Sequence, residues 1–319
     1  MNSEISKILL TEDKFLIVTH INPDGDAVGS LLGTYLALSE MGKQAWAFSG
    51  DNLPELYSFL PGLSSVITAP ERITEAPAWI IVVDVAAEHR ISGDIAGFRK
   101  RAKLLNIDHH PTNPGFGDLN YVEPTATSTA ELVHKLLRDA GYKSSSDVGK
   151  CLYTGLITDT GCFRFSGVNS GTMQIASEML GSGFDSYEVT RYLFEENSLG
   201  RLFLERLMLE RIEILLGGRL MVSTLYHGDF ERLGIPLSEG ENLVNRLRES
   251  RGVEAGVLMT QTAGDVTRVS LRSKDRLDVS AIAKSLGGGG HRHAAGLRST
   301  LPFPELKEKI ISAVEKALA

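Results

Sequence analysis

Cysteine is scarce: Cys151 and Cys162 are the only two in 319 residues. Two thiols cannot build a zinc ribbon, a disulfide framework is not expected, and both read as small buried hydrophobes. No stretch nears the roughly 18 uninterrupted apolar residues of a membrane span. Met1-Asn2-Ser3-Glu4-Ile5 lacks the basic-then-apolar layout of a signal peptide. A soluble, cytoplasmic protein without membrane attachment is expected. Internal repeats and low-complexity tracts are also missing, as are a Gly-Lys-Ser/Thr phosphate loop and a dinucleotide-type glycine fingerprint. With 42% hydrophobic and 23% charged residues, the composition excludes disorder and collagen-like repeats.

What is present is uneven. The net charge is −8 over residues 1–186, −2 over 187–216 and +3 over 217–319. An acidic first part suits carboxylates gathered around cations, and a mildly basic last part suits a separate grip on an anion. The first half alternates strand and helix. Short apolar runs at 15–19, 44–48, 79–83 and 103–107 read as strands. A stripe at Val28, Leu31, Leu32, Tyr35 and Leu36 reads as a helix, as do stretches from Ser128 (capping box with Glu131) to Ala140 and from Asp147 to Thr158. Residues 186–216 read as a continuous helix with a break near Asn197-Ser198. A strand at 220–226, a helix at 241–249, a hairpin at 256–262 and 266–272, and helices from Asp278 and Pro304 follow. The expectation is an α/β chain in three parts. Residues 1–186 form a domain on a parallel sheet with helices on both faces, 187–216 a helical linker, and 217–319 a smaller mixed α/β domain.

Three of these four strands end in ligand-type residues. His20, Asp24 and Asp26 follow the first, Asp84 the third, and Asp108-His109-His110 the fourth. In an open parallel sheet these ends converge on one edge, where ligands bind. His20, Asp24, Asp26, Asp84 and His109 make an imidazole–carboxylate set suited to Mn²⁺, with Mg²⁺, Zn²⁺ or Co²⁺ as substitutes. Crowded carboxylates repel one another without cations. Two ions about 3.5–4 Å apart, sharing a carboxylate, would resolve this and serve phosphoester hydrolysis. Asp159 sits at a helix C-terminus, against the macrodipole, and calls for a cation as well.

In order and context, His20-x-x-x-Asp24-x-Asp26, Asp84, Asp108-His109-His110 and Thr158-Asp159-Thr160-Gly161 resemble the motifs of the DHH phosphoesterase superfamily. Gly287-Gly288-Gly289-Gly290-His291-Arg292-His293-Ala294-Ala295-Gly296 resembles the signature of its DHH-associated domain. Size and order are most similar to the nanoRNase/pAp-phosphatase branch. The resemblance implies one metal on His20, Asp24 and Asp84 and a second on Asp26, Asp84, His109 and Asp159, with Asp84 bridging. It places His110 at the scissile phosphate, Asp108 behind the histidines, and Asn113 toward the substrate. His89, His134 and His227 are expected to be solvated.

Four glycines after a helix expose backbone N–H groups to an anion, so Gly288, Gly289, Gly290 and His291 are assigned to substrate. Alternation in 267–272 sends Arg268, Ser270 and Arg272 to one face, a fork for phosphate. The expected activity is Mn²⁺-dependent hydrolysis of very short oligoribonucleotides to nucleoside 5′-monophosphates, with removal of the 3′-phosphate of 3′-phosphoadenosine 5′-phosphate (pAp) by family analogy. The substrate is expected in a cleft between the domains. A charge of only +3 argues against a long or duplex nucleic-acid track. A homodimer is left open. Cyclic di-AMP or pApA cleavage is the nearest alternative, followed by pyrophosphatase or exopolyphosphatase activity and by a non-catalytic nucleotide sensor.

Overall fold

The computed structural model describes residues 2–318, which separate at Glu196/Asn197 into two compact units. In the first, helix α1 (Asn2–Thr11) precedes strands β1 (Phe15–Val18), β2 (Ala45–Phe48), β3 (Trp79–Val83), β4 (Lys103–Asp108) and β5 (Leu119–Val122). All pair in parallel in the order β2-β1-β3-β4-β5. The central strands β1 and β3 are apolar throughout because both faces are covered. Phe15, Ile17, Ile81, Val83 and Leu105 enter one core, and Leu16, Val18, Ile80, Val82 and Leu104 enter the other. The first core is packed by α2 (Gly25–Glu40), α4 (Thr129–Asp139), α5 (Ser146–Asp159), α6 (Ser170–Leu180) and α7 (Ser186–Phe194). Over the second lie the short α3 (Ala96–Arg99) and loops carrying Ile73, Ile91 and Ile95. The strand order reverses about β1, so the segments after β1 and β3 flank the switch point.

Helices α2 and α5 pack antiparallel through glycine. A Cβ on Gly29 would lie 2.8 Å from Gly155 N, and one on Gly155 would lie 2.8 Å from Asp26 Oδ1. This close approach puts the N-terminus of α2, with Asp24 and Asp26, beside the C-terminus of α5, with Asp159.

The second unit begins with α8 (Leu199–Glu210). The helical stretch within 187–216 is broken where expected, at Asn197-Ser198. Ser198 takes an extended conformation and its Oγ accepts Arg201 N, starting a new helix. Val189 of α7 joins the core of the first unit, whereas Leu204 and Met208 of α8 join that of the second. Glu213–Leu215 is strand β6, not helix. It opens a mixed sheet with β7 (Leu220–Leu225), β8 (Ala255–Gln261), β9 (Thr267–Ser273), β10 (Gly289–His291) and β11 (Ala294–Ser299), ordered β10-β11-β9-β8-β7-β6. Only β7 and β8 pair in parallel. One face buries against α8, α9 (His227–Leu233) and α10 (Val244–Arg248), the other against α11 (Val279–Ser285) and α12 (Phe303–Leu318).

Asp229 ties this unit together at the start of α9. Its buried carboxylate accepts from Arg211 Nη1 at 2.5 Å, Arg211 Nη2 at 2.9 Å and Tyr226 N at 2.9 Å. The arginine contact, ahead of the opposing effect of burial, holds this carboxyl below the usual aspartate range. Among the described residues no helix is long and apolar enough to cross a membrane.

Two measurements follow from this packing. Gly29→Val should force α2 from α5 and destabilise the protein by about 1–3 kcal/mol, the usual cost of overpacking, read by denaturant unfolding. Asp229→Asn should remove about 1.5–3 kcal/mol at neutral pH. Because the folded pKa is depressed, that stability is present above the unfolded value of about 3.9 and lost as pH falls through the folded one. The difference between wild type and variant in unfolding experiments should therefore shrink on acidification below about pH 4.

Candidate metal centre

His20, Asp24, Asp26, Asp84, Asp108, His109, His110 and Asp159 converge at the C-terminal edge of the parallel sheet. Asp24 is the N-cap of α2, its Oδ1 accepting from Asp26 N and Ala27 N at 3.1 and 3.2 Å. Asp26 is fully enclosed. Its oxygens accept from Thr129 N at 2.5 Å and Ala130 N at 2.9 Å, the first amides of α4, where the helix dipole favours negative charge. Asp84 follows β3 in a left-handed conformation, φ 59°. Such backbone costs about 1–3 kcal/mol and persists only where the surroundings enforce it. Here Asp84 N donates to Ile107 O at 3.0 Å, and Thr129 Oγ1 donates to Asp84 Oδ1 at 3.0 Å.

Two groups of donor atoms have the mixed make-up of a metal site, His20 with Asp24 and Asp84, and Asp26 with His109 and Asp159, and a further group joins Asp84, Asp108 and His110. Asp84 faces the first two: Oδ2 lies 3.5 Å from His20 Nε2, and Oδ1 lies 3.7 Å from His109 Nε2. His109 Nε2 is also 3.2 Å from Asp159 Oδ2 and 3.9 Å from Asp26 Oδ2. Both ring Nδ1 atoms are spent on carbonyls, His20 on Ile21 O at 2.9 Å and His109 on Ala126 O at 3.3 Å. Donation from Nδ1 leaves Nε2 as the atom available to a metal. The donor set fits two hard or borderline divalent ions.

The electrostatics demand positive charge. Burial first, then neighbouring carboxylates, push Asp26 and Asp159 well above the aspartate range. For Asp84, burial works upward, but the His20 contact and the nearby imidazoles outweigh it and hold the carboxyl down. His20 is pushed up to about 9, burial being outweighed by Asp84 and Asp24. The carboxylates thus draw protons onto the histidines, and divalent cations would supply that charge more compactly.

His110 adjoins these groups, its Nδ1 3.6 Å from Asp84 Oδ1. Its Nδ1 donates to Asp108 Oδ1 at 2.7 Å, so Asp108 orients this ring. Asn113 spends its amide on the protein itself. Its Nδ2 lies 2.6 Å from Asp108 Oδ2, 2.7 Å from Asn106 Oδ1 and 3.0 Å from Val85 O, and its Oδ1 accepts Gly115 N at 2.8 Å. These protein partners consume the amide, which positions Asp108 and through it His110. His134 is also not solvated: it is buried in α4, with Nε2 3.0 Å from Glu178 Oε2. His89 is exposed, and His227 lies at the start of α9, 3.4 Å from Glu231. Sequence reading missed Thr129, Ala130 and Gly155, which hold or contact Asp26; the Ser128 cap marked the helix start without showing what it faced.

In the second unit the glycine cluster is an edge strand rather than an open loop. Gly289, Gly290 and His291 pair with Gly296, Ala295 and Ala294. A Cβ on Gly290 would meet Ala295 Cα at 2.6 Å, so glycine is needed for this strand to approach its neighbour. The outer backbone edge of β10 remains outside the ladder. Val269 and Leu271 of β9 face the core, and Arg268, Ser270 and Arg272 the half-exposed side. The register sets His291, Ala294 and Arg272 in one cross-strand row and Gly289, Gly296 and Ser270 in the next. Gly288 precedes β10, its N–H donating to Ala283 O at 2.7 Å.

Comparison with known proteins agrees with this arrangement. The DHH family N-terminal domain matches residues 14–156, and the DHHA1 domain matches residues 218–319. A bifunctional oligoribonuclease and PAP phosphatase NrnA of Thermus thermophilus is 33% identical over 96% of this chain and 91% of its own length. The chain belongs to the DHH family of phosphoesterases, enzymes that hydrolyse phosphate esters. Within it, the chain is also similar to the NrnA of Bacillus subtilis, 29% identical over 93% of this chain and 92% of that one. A crystal structure of an exopolyphosphatase-related protein from Bacteroides fragilis superimposes with a TM-score of 0.91 at 26% identity, covering 99% of this chain and 96% of its own.

Asn113→Ala should lower kcat about tenfold to a hundredfold, the range for residues that orient a metal site from behind, with KM nearly unchanged. A change in KM alone, measured on a dinucleotide, would instead restore Asn113 as a substrate contact.

Proposed function

We propose that the protein hydrolyses very short oligoribonucleotides to nucleoside 5′-monophosphates and removes the 3′-phosphate of pAp, using two divalent cations, Mn²⁺ foremost. The observation that carries this reading is Asp84, which presents one oxygen to each of the two donor groups. His20, Asp24 and Asp84 would hold one ion, and Asp26, Asp84, His109 and Asp159 the other. When bound, the ions neutralise the phosphate and make water a nucleophile at neutral pH. The NrnA relatives support the choice of substrate.

Both substrates call for the same bond to break. Release of a 5′-monophosphate from RNA cleaves phosphorus from the 3′-oxygen of the preceding ribose, and removal of the pAp 3′-phosphate cleaves that same type of bond. In each, water oxygen joins phosphorus and a ribose 3′-oxygen leaves needing a proton. His110 fits the donor. Its Nδ1 is committed to Asp108, so the proton it delivers is carried on Nε2. Burial disfavours its charge, but Asp108 and Asp84 more than compensate and raise its pKa, keeping that proton available. Arg272, His291, Ser270 and the β10 glycines would grip a remote phosphate and its sugar. Binding energy spent there positions the reacting phosphate.

The test is mononucleotide release with Mn²⁺ from a dinucleotide, a five-nucleotide RNA, pAp, cyclic di-AMP and pyrophosphate. The linear RNAs and pAp should turn over fastest, and Asp84→Ala should lose at least about a thousandfold, as expected for several kcal/mol of lost charge stabilisation. Fastest turnover of cyclic di-AMP, or turnover of pyrophosphate alone, would overturn the assignment.

A further inference from the structure

We infer that Asp51 is a positioning residue for the ion that His20, Asp24 and Asp84 would hold, acting on the His20 imidazole through a single peptide unit. The inference rests on the two-cation reading above. Of strands β1 to β4, β2 alone is followed by none of the proposed ligands. Asp51 stands three residues beyond its end and turns to the loop after β1.

Asn22 N donates to Asp51 Oδ2 at 3.4 Å, and the carbonyl of the same peptide, Ile21 O, accepts from His20 Nδ1 at 2.9 Å. A peptide is planar, with its N–H and C=O pointing in opposite directions, so a carboxylate that holds one end orients the other. Asp51, the 21–22 peptide and the imidazole thus form one line of donors and acceptors. Its far end is Nε2, the atom 3.5 Å from Asp84 Oδ2. Metal-ligating histidines usually give their second N–H to a carboxylate or a carbonyl. Here a carbonyl takes it and a carboxylate stands behind that carbonyl, and bonds in such a chain polarise one another. Asn22 itself is left-handed, φ 53°, a conformation that persists where the surroundings hold it.

Asp51 is in turn built into place. Ser92, fully buried, donates from Oγ to Asp51 Oδ2 at 2.9 Å and accepts Asp51 N at 3.1 Å. Ser49 Oγ donates to Asp51 O at 2.8 Å. A Cβ on Gly50 would collide with Gly93 Cα, and one on Gly93 would meet the Phe48 ring at 2.7 Å, so the loops after β2 and β3 touch only through glycine. Segment 90–92 also grips the backbone around His20. Ile21 N donates to Arg90 O and Ser92 N to Thr19 O, both at 2.8 Å. The loops after β1, β2 and β3 therefore meet at one carboxylate. The ligands of the second group are held from elsewhere, Asp26 by the amides of α4 and His109 by Ala126 O. Loss of Asp51 should consequently be felt at one ion and not the other.

The experiment titrates metal-free protein with Mn²⁺ by calorimetry, comparing wild type, Asp51→Ala, Asp51→Asn, His20→Ala and the double variant of Asp51→Ala with His20→Ala. Asp51 is half-buried, and its removal leaves the Ile21–Arg90 and Ser92–Thr19 bonds in place, so these variants should fold. Wild type should take up two ions per chain. Asp51→Ala should weaken one of them about tenfold to a hundredfold, the range for groups that orient a metal ligand from behind, and leave the other unchanged. Asp51→Asn, which keeps an oxygen for Asn22 N, should recover most of that loss. His20→Ala should lose the same binding step, and adding Asp51→Ala to it should leave the surviving step as it was. Unchanged affinities in Asp51→Ala, or weakening of the step that survives His20→Ala, would overturn the positioning role while leaving the proposed function intact. Wild-type protein that binds no pair of Mn²⁺ ions would instead remove the two-cation reading and this inference with it.

Discussion

Everything at the metal centre turns on the repulsion among Asp24, Asp26, Asp84 and Asp159, four carboxylates brought to one place. The fold opposes that repulsion with directed donors. The first amides of α4 clasp Asp26, and the glycine contact between α2 and α5 lets the helix ends meet. Asp84 is kept in a left-handed conformation by its amide bond to Ile107 and by Thr129. None of these groups carries a full positive charge. They orient the carboxylates and leave the net charge for divalent cations, which is why a stability cost is tolerated at this edge of the sheet.

The two units differ in what their sheets can present. A parallel sheet gathers all its strand ends on one edge, and a switch in strand order opens a crevice there, so residues from three different strands meet as ligands. An antiparallel ladder instead lays out a flat face whose rungs repeat at regular spacing. The acidic charge of residues 1–186 and the basic charge of 217–319 follow the same division.

Orientation of His110 shows how far the machinery extends behind the ligands. Asn106, Asn113, Asp108 and His110 form a chain of hydrogen bonds that starts within β4 and ends at the ring. A buried carboxylate held by an amide cannot rotate freely, so the imidazole it pairs with keeps one direction. On the proposed reading the same restraint would serve RNA and pAp, because in both a ribose 3′-oxygen is the leaving group.

Much of this was legible in the chain. Apolar runs bounded by polar residues marked β1 to β4, and the His and Asp residues just after them announced a metal edge, because parallel strands must end together. Period-two alternation in 267–272 placed Arg268 and Arg272 on one face. Short or weakly patterned elements escaped: β5 is a four-residue edge strand containing Asn120, and the three-residue β6 was read as the end of the preceding helix. The role of Asn113, the burial of His134 and the grip of Thr129 and Ala130 on Asp26 were not legible. The last of these joins residues more than 100 positions apart. Local periodicity decides which side of its own element a residue faces, so the sequence by itself determined the ligand types and their order. Which partner lies opposite depends on strand register and helix packing, and only the tertiary structure decided that Asp84 faces both donor groups and that Asp51 reaches the amide of Asn22.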